Sequence, residues 1–531
     1  DLSVKRLGFE VDPKPEGKII ERVEMAVLEV FEPRDPAPGF LNSLHIESRP
    51  YTIERELLVG PGDRYEKILV DETARNIRAL PQFSLVICVA VRGSNPDKVV
   101  LLVIAKDVWS IRMNSEVSYT SGGLEKLILQ PAETNLLGSH QTMAVRYELD
   151  PMSWSGGLQY IIPCFSKYHL HGSAQANLII NRESGQAEGS YGSFLVGRRL
   201  LSSRTPWSWL SKTFWLYQTS RRFVNAKLAI FDADVTPEDD KIPYEYRTRA
   251  ILHRTGITRS YGWAIKNNIT FGVEYDQREY EVSDSTADPR ALREFEDERV
   301  PTTNTRLSPY IQYSGYSTDF VRVLDFETLG LQEDYRLGHQ ILLKVYPAFA
   351  RLGSTRNLFG VFAAAQYTVP FIDGLARVGV ESVTEMDADG LSDASIKGNW
   401  RVITPRLGFG RLLVDSIVLR RYRNSLNQNS YLGGNTRLRG YPSSFFVGEN
   451  TAATNIEFRS RPIEIFSMQF GGTLFYDVGT AFDENEPFDI NQSVGLGTRS
   501  LFPQLDRVVF RVDVGFPLDS DGLASGVSPM S

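Results

Sequence analysis

The chain has 531 residues, a formal net charge of −7 and a sequence pI of about 5.6. The acidic balance gives no footing for a nucleic-acid partner. Two cysteines, Cys88 and Cys164, are too few for a disulfide framework or a cysteine-based metal site. The length exceeds an ordinary soluble domain and implies several domains or one very large sheet.

In chain order, residues 1–16 read as an N-terminal extension and residues 17–108 as a small α/β domain. GKIIERVEMAVLEVF (17–31) alternates as a first strand, and a proline-rich excursion follows. YTIERELL (51–58) and YEKILVDETARNIRAL (65–80) read as helices, the second with Ile68, Leu69, Glu72, Arg75, Asn76 and Leu80 at helical spacing and stopped by Pro81. SLVICVAV (84–91) and KVVLLVIAK (98–106) read as strands joined by the turn RGSNPD. The predicted order is β-α-α-β-β.

From Trp109 to the end (109–531) the texture is period-two alternation. In RVVFRVDVGFPL (507–518), Val508, Phe510, Val512, Val514, Phe516 and Leu518 share one face; Arg511, Asp513 and Gly515 share the other. FGGTLFYDVGTAF (470–482), TNIEFRSR (454–461) and TMAVRYEL (142–149) repeat the pattern. A soluble antiparallel sandwich also alternates. The length of the strand region, segments of about ten residues, and acidic inserts at 232–241 and 281–299 set against tight turns such as SGG (121–123) favour a transmembrane barrel. The inserts read as solvated external loops, at the opposite end from the tight turns. No stretch approaches the roughly 20 apolar residues of a membrane helix, which leaves a barrel open.

The chain has no G-x-S-x-G elbow, no P-loop and no H-E-x-x-H, so a non-enzyme is expected, with no cofactor. His169 and His171 would share a strand face but have no third ligand nearby in sequence, so no metal site is assigned.

The stretch GGNTRLRGYPSSFFVGEN (433–450) is the candidate functional loop. Gly440 after Arg439 permits a sharp turn, Tyr441 and Pro442 can pin its tip, and Arg439 offers a bidentate fork suited to carboxylates. By strand parity Glu457 and Asp477 lie on the same polar face of two consecutive strands. A loop folded into the lumen would place Arg439 between them.

TRLRGY (436–441), carrying Arg437, Arg439, Gly440 and Tyr441, resembles the (V/L/I)-R-G-(F/Y) loop of the BamA/TamA outer-membrane assembly superfamily, which includes two-partner secretion transporters and organelle homologues. LFYDVG (474–479) is similar to its F-x-D-x-G strand, through Phe475, Asp477 and Gly479; GENTAATNIEFRSR (448–461) resembles its preceding E-x-R strand, and NLLG (135–138) another recurring feature. Residues 55–83, within the β-α-α-β-β unit, resemble a POTRA domain. The resemblance implies a mainly β fold: one POTRA domain ahead of a transmembrane antiparallel β-barrel of about 16 strands, with a weak seam between first and last. It also implies Arg439 clasped to Glu457 and Asp477. The POTRA domain would stand in the periplasm, with the barrel in a bacterial outer membrane or, alternatively, a mitochondrial or plastid one. The implied partners are unfolded outer-membrane or secreted polypeptides and the lipid bilayer, with accessory lipoproteins or other subunits as further candidates. Insertion of polypeptides at the seam is the leading role; a dedicated secretion pore and a passive structural barrel are the alternatives. The family carries several POTRA domains in its general assembly factor and ends in a closing strand. Here one such unit is read, and GLASGVSPMS (522–531) is turn-like, so the closing strand is expected to be truncated or supplied otherwise.

Overall fold

The computed structural model describes residues 4, 8–32, 35, 39–165, 168–282, 287–435, 437–484 and 488–519. The turn expected at 522–531, Thr436 of the loop, part of the 1–16 extension and residues 283–286 of the second acidic insert lie outside these.

The N-terminal unit has the strand Ile19–Leu28, helices Pro50–Glu54 and Lys67–Arg78, and strands Phe83–Arg92 and Lys98–Asp107. Lys98–Asp107 lies in the middle of the sheet, parallel to the first strand and antiparallel to the second. A continuous apolar run suits a central strand covered on both faces, and Val99 to Ala105 are all buried. Ile53, Leu69, Val70 and Ile77 pack on one side of the sheet. The helix expected over 51–58 ends at Glu54.

Among the described residues, the remainder builds one large antiparallel sheet of twenty strand segments, from Ile111–Thr120 to Phe510–Pro517, that curls like a barrel. One segment, Ile463–Ile465, only extends the pairing of Asn450–Ser460 against Met468–Phe482. The sheet therefore has more strands than the 16 expected. That number came from resemblance, whereas the pairing is set by the hairpins this chain makes. The sheet brings its first and last strands side by side, yet among the described residues no paired register joins them. Both strands start beside the N-terminal unit: Trp109 N donates to Gln504 O at 2.8 Å, and Arg112 pairs with Asp506 at 3.2 Å. They therefore run in the same direction, unlike every other neighbouring pair in the wall.

Side-chain polarity is inverted relative to a soluble sandwich. Phe510 is 57% exposed and Leu474 61%, and Met143, Val145, Leu158, Ile257, Phe271 and Leu496 are also exposed. The inward face is charged and buried. Glu274 receives Lys344 at 2.8 Å and Arg306 at 3.2 Å, and Glu385 receives Arg306 at 2.5 Å and Tyr346 Oη at 2.7 Å. Apolar outside and ion-paired inside is the arrangement a lipid surround requires. Among the described residues no helix is long and apolar enough to cross a membrane.

Two expectations about the loops are corrected. The SGG turn lies at the same end as the acidic inserts, where Ser121 Oγ and Gly122 N both donate to Asn225 Oδ1. The second insert is not a plain solvated loop: Pro289–Arg299 is a helix, with Asp288 accepting from Arg290 N at 2.8 Å as its cap. Ala291 and Phe295, at i,i+4 spacing, are fully buried with Ile242, Tyr244 and Tyr246 in a cap over that end of the barrel.

The N-terminal unit docks on the opposite end. Ser48 Oγ donates to Asp107 at 2.7 Å and sits 2.8 Å from His140 Nε2. With the hydroxyl proton committed to the carboxylate, the imidazole Nε2–H is the donor. Asn135 Nδ2 donates to Ile46 O at 3.0 Å, Arg49 N to Gly138 O at 2.9 Å, and a Cβ on Gly138 would lie 2.6 Å from Glu47 O. Burial lowers the His140 pKa to about 3.

Two outcomes follow. Leu474→Arg should destabilise the sheet by about 2–4 kcal/mol in lipid vesicles, read by urea unfolding; at a water-exposed site the change would stay within about 0.5 kcal/mol. For His140 the folded pKa lies below the unfolded value. The seating is therefore at full strength above about pH 6.5 and weakens by up to about 1.4 kcal/mol per pH unit as pH falls from there towards 3. Hydrogen exchange at Arg49 compared at pH 7 and pH 5 reads this, and His140→Gln should flatten the dependence.

Candidate functional site

Residues 425–435 and 437–449 leave the strand Gly410–Asn424 at the capped end and fold down inside the sheet. The loop carries its own apolar core: Leu432, Leu438 and Tyr441 are buried with Ala453 of the wall, and Phe445 and Phe446 pack beside Tyr441. Without it these groups would meet a charged, hydrated lumen. From above, Arg222 donates to Ser444 O at 3.0 Å and Phe445 O at 2.7 Å, and Asn427 Nδ2 donates to Asp297 O and Val300 O of the cap.

The structure brings Arg439 together with Glu457 and Asp477. Arg439 Nε and Nη2 donate to the two oxygens of Asp477 at 2.8 Å each, and its backbone N–H adds a third bond at 3.1 Å. Nη1 donates to Asp513 Oδ2 at 3.1 Å and Glu457 Oε2 at 3.3 Å. Phe475, inward-facing beside Asp477, lies with its ring 3.6 Å below the guanidinium. Asp477 is 0% exposed and Asp513 1%, so these charges persist only as a matched set. Arg459 balances Glu457 at 2.8 Å and Arg511 balances Asp513 at 3.2 Å.

Glycines make the seat. Gly440 has φ +102°, a left-handed conformation. A Cβ on Gly515 would lie 2.6 Å from Gly440 N, so the loop tip lies directly on the last strand's backbone. Tyr441 Oη is 3.1 Å from Gln492 O and 3.2 Å from Asp519 O. A Cβ on Gly479 would sit 2.9 Å from Leu432, so this glycine makes room for the loop's core. Arg437 reaches the other way, pairing with Asp415 and lying 3.3 Å from Asn455 Oδ1, while Asn455 Nδ2 donates to Arg437 O at 2.5 Å. The tip thus braces five consecutive wall strands, the last being one edge of the seam.

Asp513, Asn455 and Asp415 were not assigned from the sequence. Asp513 shares a parity with Arg511 and Gly515, but only the curl of the sheet brings it within reach of Arg439. His169 stands in the turn before Leu170–Asn181 and His171 within that strand. Among the described residues no group of three or more His, Cys, Asp or Glu side chains is placed to hold a metal. The site holds a loop on the wall of the sheet.

The chain matches no protein-family model and no curated protein. Among solved structures it is similar to BamA from Haemophilus ducreyi lacking POTRA domains 1–3 (11% identity, 96% of this chain and 82% of that one, TM-score 0.37). It is also similar to CdiB from Escherichia coli (11%, 94% and 73%, 0.44) and to the FrpB iron transporter of Neisseria meningitidis, F3-3 variant (10%, 98% and 94%, 0.38). At such identities and scores these likenesses carry no argument about function.

Arg439→Ala leaves three buried carboxylates short of a cation and should cost about 3–5 kcal/mol of loop attachment. Limited proteolysis of residues 433–449 in the folded barrel checks it. Arg439→Lys, which cannot form the fork, should fall in between.

Proposed function

We propose that this protein is a non-enzymatic outer-membrane component that inserts or translocates polypeptides, in the manner of the BamA/TamA superfamily. The observation that carries the reading is the bracing of the seam-side strands by a lumenal loop through a single arginine. A passive pore has no need of a buried Arg439 tied to three carboxylates on three strands beside the junction of the first and last strands.

In this reading the N-terminal unit is a POTRA-type domain in the periplasm. It captures unfolded chains by strand addition, where main-chain hydrogen bonds give sequence-tolerant binding. An incoming strand would add at the seam between the first and last strands, which makes that junction the template for insertion. Arg439 holds the wall beside it in register. The partners are the bilayer, unfolded outer-membrane or secreted polypeptides, and accessory lipoproteins or other subunits on the N-terminal unit.

A secretion pore for one substrate is the second reading, favoured by the location of the loop inside the lumen, where the loop seated on Arg439 would line and order the export path. Arg439→Ala should lower the level of many outer-membrane barrel proteins by several-fold under insertion. Under dedicated secretion it should abolish export of one protein only. Quantitative proteomics of the outer membrane and medium reads both, with the variant's own barrel assayed as folded. If neither changes, the passive-barrel reading takes over.

A further inference from the structure

The connection 318–337 joins two adjacent wall strands, Asn304–Ser317 and Gly338–Ala348, at the end facing the N-terminal unit. Neighbouring strands need only about two to five residues to turn. This connection instead forms a hairpin, Phe320–Leu324 on Gln332–Arg336, whose tip crosses the lumen. Phe326 is 1% exposed, packed against Leu375, Ile403 and Leu413 of three other wall strands, and Leu329 and Leu331 pack on Leu501, further round. Leu375, Ile403 and Leu413 form a cross-strand row that faces inward. Apolar side chains there break the charged pattern of the lumen, and the hairpin tip supplies what they pack against.

The tip is pre-shaped. The Glu333 carboxylate accepts the backbone N–H groups of Phe326, Glu327 and Thr328 at 3.2, 3.1 and 2.9 Å, which ties the tip to its own hairpin. It is held at both ends of a polar chain. On the outer side, Arg78 of the Lys67–Arg78 helix makes a two-bond fork to Asp334 at 2.8 and 3.2 Å, and the Arg75 guanidinium lies 4.6 Å from the Phe320 ring centre. On the inner side, Arg459 donates to Phe326 O at 2.5 Å and to Glu457 Oε1 at 2.8 Å. The other Glu457 oxygen is held by Arg439.

We propose that residues 318–337 are an inner plug, latched by the N-terminal unit through Arg78 and Asp334. Displacing that unit frees the plug and opens the lumen mouth. Through Arg459 and Glu457 the plug and the Arg439 loop share one ion pair, so withdrawal of the plug also loosens the loop. The proposal rests on the barrel spanning a bilayer, and not on which polypeptide it handles.

The test is ion conductance of the full chain in planar bilayers, with Cys88→Ala and Cys164→Ala as background and heat-shifted gel migration as the folding check. Asp334→Arg and Arg78→Asp should each raise the open probability roughly tenfold. The exchanged pair Arg78→Asp/Asp334→Arg should return it towards the starting level. Leu329→Cys with Leu501→Cys, oxidised, should hold each single variant closed until reductant is added. The proposal fails if folded single variants conduct no more than the parent, if the exchanged pair stays as open as the singles, or if the oxidised barrel conducts like the reduced one. No polypeptide substrate enters this assay, so its failure is separate from any failure of the insertion reading.

Discussion

A bilayer supplies no hydrogen bonds, and that constraint organises this chain. Every backbone N–H and C=O within the apolar band has to be met by another strand, so the sheet curls until its ends approach. Charged side chains cannot face the acyl tails, so they collect inside and must neutralise one another there. The Arg306–Glu274–Lys344 cluster on one wall and the Arg439–Asp477–Asp513 cluster on the other are consequences of the same rule. So are the inward glycines, which make space for what the lumen holds.

The lumen is filled from both ends by segments that the hairpin order permits but does not require. From the capped end comes the loop with Arg439; from the other comes the hairpin with Phe326. Each brings an apolar patch of its own to an otherwise charged interior, and each is fixed by an arginine fork. They meet at Glu457 and Arg459, neighbours in parity on one strand. The interior is therefore better described as two seated inserts sharing a contact than as an open channel.

Much of this was legible in the residues, and the illegible part has a common cause. Val508 to Leu518 declared which side of the last strand is apolar, because strand periodicity is local. The parity that put Glu457 and Asp477 on one face is local too. Asp513 was out of reach because its approach to Arg439 depends on how far the sheet curls. The Pro289–Arg299 helix was hidden by its acidic composition, although Asp288 as cap and Ala291 with Phe295 on one face carry a helical signal. FVRVL and QEDYR look like any short hairpin; that their tip crosses to Leu413 and Leu501 follows from the tertiary shape alone. The strand number was the least accessible feature, since each added hairpin leaves the alternation unchanged.

A parity scan along Met468–Phe482 reads which side of the wall meets lipid. In a background without Cys88 and Cys164, single cysteines replace residues 472 to 478 in turn, each carries an environment-sensitive fluorophore, and the protein is reconstituted in vesicles. Lipid-borne and aqueous quenchers are then compared. Lipid quenching at positions 474, 476 and 478 should alternate with protection from lipid at 473, 475 and 477. Equal aqueous quenching at every position, or protection of 474 and 476 from both quenchers, would contradict it.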